Sequence, residues 1–472
     1  MGENATEQLR PAQQLSIIDA VAIIVGIVIG AGIFRTPSLV AANTSTEAMF
    51  LFAWLLGGVV SLIGALCYAE LSTTFPNAGG DYHFLSRAYG KRLAFLFAWA
   101  RMSIIQTGSI AVLAYIFGDY FSQVINLGTY SSVIYAALIV IILTGINIAG
   151  IRMSTIAQKV FTTTEVAGAL LVVVVGLFIA PAATEPAALQ ALNEASAGGV
   201  LQQAAVTTAE APVQENFLGL AMVFVLLTFG GWNEAAYISA ELKSGKRGMV
   251  RVLIISILVI TLVYLLVNLA FSRALGHTAM ASSDAVGVDL LQQVWGSTGV
   301  WLIGILVAFS ALTSVNATIF TGARTNYALG RDFKSFAKLG KWDSQAAGPV
   351  NAFLVQGLIS LLLISLGLIT RSGFETIVEY TAPVFWFFFL LVGISLFVLR
   401  RKEPDVHRPF RVPLYPILPL IFCLSSAYLL YSSVMYTGIG AFVGIGVLIV
   451  GFLFQSKPQS NQPNIITKNQ VP

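Results

Sequence analysis

The chain has little charge. Asp, Glu, Lys and Arg make up only 10% of its 472 residues, against about 25% in a soluble domain. Hydrophobic residues make up 57%, and the mean hydropathy is +0.82. A soluble globular protein is thereby excluded, and a polytopic membrane protein is expected. Cysteine is nearly absent: Cys67 and Cys423 both sit in apolar runs, which leaves no disulfide framework and no metal-ligand spacing. Asp81, Tyr82 and His83 hint at catalysis, yet no Ser–His–Asp or paired-carboxylate pattern recurs at one membrane depth, so no enzyme is expected. A Gly-rich phosphate loop with its lysine is also missing, so neither nucleotide drive nor a cofactor is expected. Residues 1–15 are polar and the first apolar run is too long for a secretory signal.

What the sequence does hold is apolar runs of spanning length, since about 20 apolar residues cross a bilayer as a helix. Twelve are expected, at 16–43, 47–74, 93–122, 129–149, 155–180, 216–241, 249–275, 297–329, 350–369, 374–399, 413–435 and 437–455. Pro76-Asn77-Ala78-Gly79-Gly80 opens a short amphipathic stretch, Asp81 to Gly90, between the second and third spans. A longer polar loop, 181–215, is rich in Ala, Glu and Gln, and partial helix is expected there. Lys and Arg collect on alternate loops: Arg87, Lys91 and Arg92; Arg152; Lys243, Lys246 and Arg247; Arg331 to Lys341; Arg400 to Arg411. The 181–215 loop has neither. The positive-inside rule then places both termini in the cytoplasm. The net charge of +4 and pI near 9.0 report this orientation rather than a nucleic-acid partner.

Two of the spans carry glycine at their centres. Val25 to Phe34 includes Gly26, Gly30 and Gly32, and Leu227-Thr228-Phe229-Gly230-Gly231-Trp232-Asn233 lies mid-span in 216–241. Glycine in a membrane helix is usually a packing device. Paired mid-membrane glycines also allow the helix to stop and restart, tolerable at that depth only where the break lines a cavity. The freed N–H end attracts carboxylates and the freed C=O end attracts cations, and an amino acid carries one of each. Two interrupted spans at corresponding places in two halves point to a transporter binding site. They fit two five-helix repeats in inverted topology, with helices eleven and twelve outside the repeats.

These residues also carry a resemblance. Gly26 to Phe34 resembles the first-helix signature of the amino acid–polyamine–organocation transporters. Glu70-Leu71 with Phe75 to Tyr82 resembles the end of their second helix and the following loop. Gly230-Gly231-Trp232-Asn233 resembles the sixth-helix break of the L-type branch, and Ser314-Val315-Asn316 with Arg324 resembles helix eight. The match covers most of residues 16–400. It implies the leucine-transporter fold and alternating access for amino acids or related amines. It further implies that the substrate carboxylate meets backbone N–H groups of Ala31 and Gly32, and that the ammonium meets carbonyls near Val28, Leu227 and Gly230. Together with Gly30 these form the candidate substrate site, with side-chain specificity from Thr228, Phe229 and Trp232. The sequence departs from the branch at two positions: Leu227 stands where a large aromatic gate is common, and Glu165 where a lysine is common.

Four ionisable residues fall at bilayer depth, where charge is costly and usually functional: Arg35, Arg101, Glu165 and Glu234. Arg35 is read as snorkelling to the outer surface. Arg101 is read as the partner of an acidic side chain or as the inner water boundary. Glu234 either favours cationic substrates at the site or pairs with Arg101. Glu165 lies ten residues into the fifth span, about 15 Å along the axis and so near the middle of a core about 30 Å thick. Burial disfavours the charged form of a carboxyl, so a coupled proton is the preferred reading. Alternatively Glu165, with Ser310, Thr313 and Ser314 of helix eight, helps hold Na⁺, since hard cations want oxygens; no resident metal is expected. In the bland reading Glu165 pairs with a cation, and the hydroxyls only bond helix carbonyls.

The sequence thus predicts an all-α polytopic protein with first and sixth helices broken, lying in the cell (cytoplasmic or inner) membrane. Its divisions are a cytoplasmic tail 1–15, a first repeat 16–180, an extracytoplasmic loop 181–215, a second repeat 216–399, a cytoplasmic loop 400–412, helices eleven and twelve in 413–455, and a cytoplasmic tail 456–472. The expected function is secondary transport of an amino acid by alternating access, proton-coupled. The alternatives are ion-independent exchange, Na⁺ symport and, from another class, an ion channel. The expected partners are the amino acid, the lipid bilayer and H⁺ or Na⁺, without nucleic acid.

Overall fold

The computed structural model describes residues 15–30, 32–183, 218–243, 245–283, 285–366, 373–437 and 440–453. The expected Ala31, most of the 181–215 loop and the side chain of Arg35 lie outside them. The described residues are helical apart from short connections, with two isolated bridges, Leu15 with Leu242 and Asp343 with Gly348.

Twelve spans follow in chain order. The first is α1a (Ile17–Val28) and α1b (Gly32–Ala42), and the second is α2 (Glu47–Thr74). Lys91–Ala100, a π turn at Arg101–Ile105 and Gln106–Val124 form α3. Next come α4 (Ser131–Ile148) and α5 (Ile151–Val174, closed by a π turn at Val175–Ile179). The sixth is α6a (Leu218–Thr228) and α6b, a run of short turns from Trp232–Glu234 through Ala235–Ile238 to Ser239–Glu241. Then follow α7 (Gly245–Leu275), α8 (Ser297–Asp332), α9 (Val350–Leu366), α10 (Gly373–Lys402), α11 (Ile417–Thr437) and α12 (Gly440–Leu453). Among the described residues nine helices are long and apolar enough to cross a membrane, and α1a and α9 are shorter apolar helices.

Local chemistry sets several ends. Ser16 caps α1a by accepting from Asp19 N at 3.2 Å, and Asp19 accepts in return from Ser16 N at 2.8 Å; this reciprocal box satisfies two otherwise unpaired donors. Thr46 caps α2 by accepting from Met49 N at 3.2 Å. At the other end of α1a the helix stops because Ile29 leaves helical geometry (ψ 48°) while its N–H still bonds Val25 O.

Packing follows a two-fold pattern. Several helix pairs recur when helices one to five are exchanged for six to ten. α2 packs on α7, α3 on α8, α4 on α9 and α1b on α6a; α8 packs on α5 and α4 as α3 packs on α10 and α9. α11 rests on α10 and α2, and α12 on α10 and the start of α3. Between membrane helices the gain comes from close van der Waals packing more than from the hydrophobic effect. Glycines of α2 provide it. A Cβ on Gly57 would lie 2.3 Å from Val225 and 3.2 Å from the Phe229 ring, and one on Gly64 would lie 2.6 Å from the Trp232 ring. The aromatic residues of the sixth span therefore sit in hollows of the second.

Candidate functional site

The break in the first span is held from one side by hydroxyls. Thr162 donates to Ala22 O at 3.1 Å, Ser314 to Gly26 O at 3.2 Å, and Ser310 lies 3.1 Å from Ile29 O. Gly26 O and Ile29 O, which a continuous helix would have used, are thus met by α8, while α5 adds a second bond to Ala22 O inside α1a. The helices come this close because Gly26 and Gly30 have no side chains. A Cβ on Gly26 would lie 2.3 Å from Thr162 Oγ1, and one on Gly30 would lie 2.7 Å from Ser314 Oγ.

The second break faces the first. The Cβ position of Gly32 is 3.5 Å from Thr228 Cγ2. Gly231, at φ +108°, would place a Cβ 2.4 Å from Ile27 Cγ2, so the chain turns there only because the residue is glycine. Gly230 N donates to Leu227 O at 3.0 Å, and the Thr228 hydroxyl donates back to Phe224 O at 2.8 Å. Leu227 is 51% exposed. Phe229 and Trp232 are buried against α2, over Gly57 and Gly64. Phe229 stacks edge-on to Tyr264 at 4.9 Å and lies beside Trp54 at 6.3 Å. Trp232 meets Tyr68 at 5.2 Å and Phe389 at 5.7 Å. Behind Trp232 a cavity of about 30 Å³ is bounded by Ser61, Gly230, Phe385 and Phe422.

Glu165 is 2% exposed and its Oε1 is bonded to Ser310 Oγ. Thr313 stands beside the carboxyl as well, yet its hydroxyl proton goes to Phe309 O at 2.9 Å. Oε2 is left without a well-formed hydrogen bond among the described residues. The Ser310 hydroxyl therefore touches both the carboxyl and the broken end of the first span. Glu234 has different company. Both its oxygens accept from Arg101 Nη2, at 2.7 and 2.6 Å, and the guanidinium lies 4.1 Å over the Tyr237 ring. The structure thus builds the Arg101 pairing of Glu234, and Arg101 reaches it from the π turn of α3.

Several contributors are not among the site residues expected from the sequence. Arg324 and Glu241 form a fully buried bidentate pair at 2.5 and 2.9 Å, and Leu15 N donates to Glu241 O at 3.0 Å, pinning the residue that leads into α1a to the end of α6b. Asp81 is buried near Tyr68, Tyr237, Arg101 and Glu234. Burial pushes its carboxyl up to about 7; Arg101 pulls it down and Glu234 adds to the rise. Tyr264, in the middle of α7, directs its hydroxyl to Val28 O and to Thr228 O. The sequence signal was a phenol in the centre of a long apolar run, which reads equally as core filler.

The chain is similar to known proteins along nearly its whole length. The family model described as amino acid permease matches residues 15–467. The chain is 29% identical over 461 residues to the large neutral amino acids transporter small subunit 2 of Mus musculus, covering 95% of this chain and 82% of that one. It is 27% identical over 427 residues to the b(0,+)-type amino acid transporter 1 of Mus musculus, covering 90% and 83%. It is 28% identical over 470 residues to the Asc-type amino acid transporter 1 of Mus musculus, covering 96% and 84%.

Proposed function

The chain belongs to the amino acid permease family and is an amino acid transporter rather than an enzyme, and from that premise we propose that it works by alternating access, with Glu165 carrying a coupled proton. The amino acid binds where the two breaks meet. Its carboxylate takes backbone N–H groups at residues 31 and 32, at the positive end of α1b. Its ammonium takes the second lone pairs of carbonyls around Val28, Leu227 and Gly230. Thr228 and Leu227 line the side-chain end, and Phe229 and Trp232 form the wall behind them. The protein sits in the cytoplasmic membrane with both termini inside, an orientation supported by the basic residues on alternate loops.

The observation that carries the proton reading is the shared hydroxyl of Ser310, which contacts Glu165 Oε1 and lies 3.1 Å from Ile29 O. A serine has one proton to give. With Glu165 ionised, Ser310 gives it to the carboxylate and Ile29 O loses its donor. With Glu165 protonated, the carboxyl donates to Ser310 Oγ, and Ser310 is free to donate to Ile29 O. Proton binding at Glu165 is thereby converted into a hydrogen bond on the broken helix, which is the element that binds substrate.

Sodium is the second reading, favoured by the oxygens of Gly26, Ile29, Ser310, Ser314 and Glu165 lying along one seam between α1a, α5 and α8. Uptake into proteoliposomes separates these readings and ion-independent exchange. Proton coupling gives stimulation by an inward proton gradient without Na⁺ and without amino acid inside. A strict need for Na⁺ selects the sodium reading, and a strict need for internal amino acid selects exchange. For the substrate site, Gly32→Leu is expected to abolish uptake in a folded, inserted protein, because a leucine side chain fills the space that the carboxylate needs. Normal uptake by that variant places the site elsewhere.

A further inference from the structure

Glu165 stands at the end of a polar stripe. Ser154, Gln158, Thr162 and Glu165 follow one another on α5 at steps of four, four and three residues, which puts them on one helix face. The stripe covers about 16 Å of helix at roughly 1.5 Å per residue, from the first turn of α5 to the Glu165 seam. All four residues are buried. Polar side chains lined up at membrane depth mark ion and proton routes. With both termini in the cytoplasm, this stripe leads from Glu165 to the inner side.

Amides close it. Asn147 of α4 donates to Leu143 O at 2.8 Å and to Asn316 Oδ1 at 2.9 Å. Asn316 of α8 donates to Gln158 Oε1 at 2.8 Å, and Gln158 Nε2 lies 3.4 Å from Thr162 Oγ1. Thr162 donates to Ala22 O of α1a at 3.1 Å, and Ser154 donates to Asn147 Oδ1 at 2.8 Å. A backbone carbonyl has no proton to give, so Leu143 O fixes which way Asn147 points. The direction of every later bond follows, and the chain ends on α1a. The first helix covers it closely: a Cβ on Gly26 would lie 2.3 Å from Thr162 Oγ1 and 2.7 Å from Gln158 Nε2. Beside the stripe, the exposed Lys159 pairs with Asp19 of α1a.

A member of a proton relay takes a proton on one side and releases one on the other. Carboxyls, imidazoles and hydroxyls can do this. A carboxamide has donors on nitrogen and acceptors on oxygen but no labile proton. We propose that Gln158 and Asn316, aligned by Asn147, form a proton seal. While α1a is seated they keep the stripe hydrogen-bonded yet closed to protons, so Glu165 cannot discharge into the cytoplasm before α1a moves. The seal rests on the reading that Glu165 carries the coupled proton.

The test reads proton entry with a pH-sensitive dye inside proteoliposomes. An inward pH gradient is imposed without amino acid, and potassium with valinomycin clamps the voltage. Wild type is expected to leak no faster than protein-free vesicles. The double variant Gln158→Glu/Asn316→Asp exchanges the amide pair for two carboxyls that share a proton, and is expected to leak several-fold faster. Adding Glu165→Gln to it is expected to return the leak to the wild-type rate. Gln158→Glu alone is measured alongside, with a smaller leak expected, so the test stands if the double variant does not reconstitute. Gln158→Met breaks the same bonds without supplying a titratable group and is expected to stay tight. Acid variants that reconstitute and stay tight overturn the seal, as does a leaking wild type or an equal leak in Gln158→Met. A leak that survives Glu165→Gln overturns it too. Gradient-driven accumulation by wild type tells which reading has failed. Accumulation with tight acid variants removes the seal and leaves Glu165 its proton, whereas no accumulation removes the coupled proton and the seal with it.

Discussion

Glu165 and Glu234 are both buried in the membrane, 2% and 7% exposed, and their surroundings differ completely. Glu234 gives both oxygens to Arg101 and sits beside a guanidinium that is itself stacked on Tyr237. Glu165 has a serine hydroxyl on one oxygen and no well-formed hydrogen bond to the other among the described residues. A carboxylate whose two oxygens meet an arginine nitrogen has its charge matched in place and gains nothing by moving a proton. A carboxyl held only by a hydroxyl can change its protonation state without breaking an ion pair. Depth alone therefore does not distinguish a structural charge from a working one; the identity of the facing group does.

The comparison can be broken most forcefully at Glu234. Glu234→Ala leaves the Arg101 guanidinium buried and unpaired, a loss of the order of 3–5 kcal/mol for a broken buried pair. The expected result is a large drop in melting temperature and in folded yield. A variant that melts with wild type would show that the pair holds nothing.

Asp81 sharpens the same contrast, because it lies near Arg101 and Glu234 with its carboxyl near 7 in the folded protein and close to 3.9 when unfolded. A folded value above the unfolded one gives stability that is complete at low pH. That stability is lost as pH rises through the folded value, here between about 4 and 7. Asp81→Asn is expected to flatten this part of the melting-temperature profile. A wild-type profile that rises with pH across that window contradicts the assignment.

Glu165→Gln is expected to change function rather than fold. The amide keeps the volume and a bond to Ser310, so melting is expected to shift by a couple of degrees at most. One coupled proton gives at most about tenfold accumulation per pH unit of gradient, about 1.4 kcal/mol, and this variant should lose that accumulation entirely. Gradient-driven accumulation that survives in Glu165→Gln would remove Glu165 from the coupling path. The smallest effect is expected at Ser310. Ser310→Ala removes the hydroxyl's buried hydrogen bonds, about 1 kcal/mol each, and should weaken the dependence of uptake on the proton gradient while leaving uptake without a gradient near normal. Equal loss in both conditions would reduce Ser310 to a packing residue.

Much of this was readable along the chain, and the unread part has one cause. Hydrophobic run length located the spans, the glycine pairs located the two breaks, and residue count from the helix start put Glu165 near mid-membrane. These are local quantities, fixed by 1.5 Å of rise per residue and by what lies within one turn. The contacts that assign roles join residues far apart in the chain: Arg101 to Glu234 across 133 positions, Ser310 to Glu165 across 145 and Tyr264 to Val28 across 236. They depend on how each helix is rotated about its axis and which neighbour it meets, and that is set by packing over the whole bundle. Sequence determined by itself that the chain spans the membrane, where its helices break and which charges lie deep. Only the tertiary structure decided that Phe229 and Trp232 turn into the hollows at Gly57 and Gly64, that Glu234 is paired and Glu165 is not, and that a tyrosine stands between the two broken ends, because side-chain direction follows from inter-helix packing and not from position along a helix.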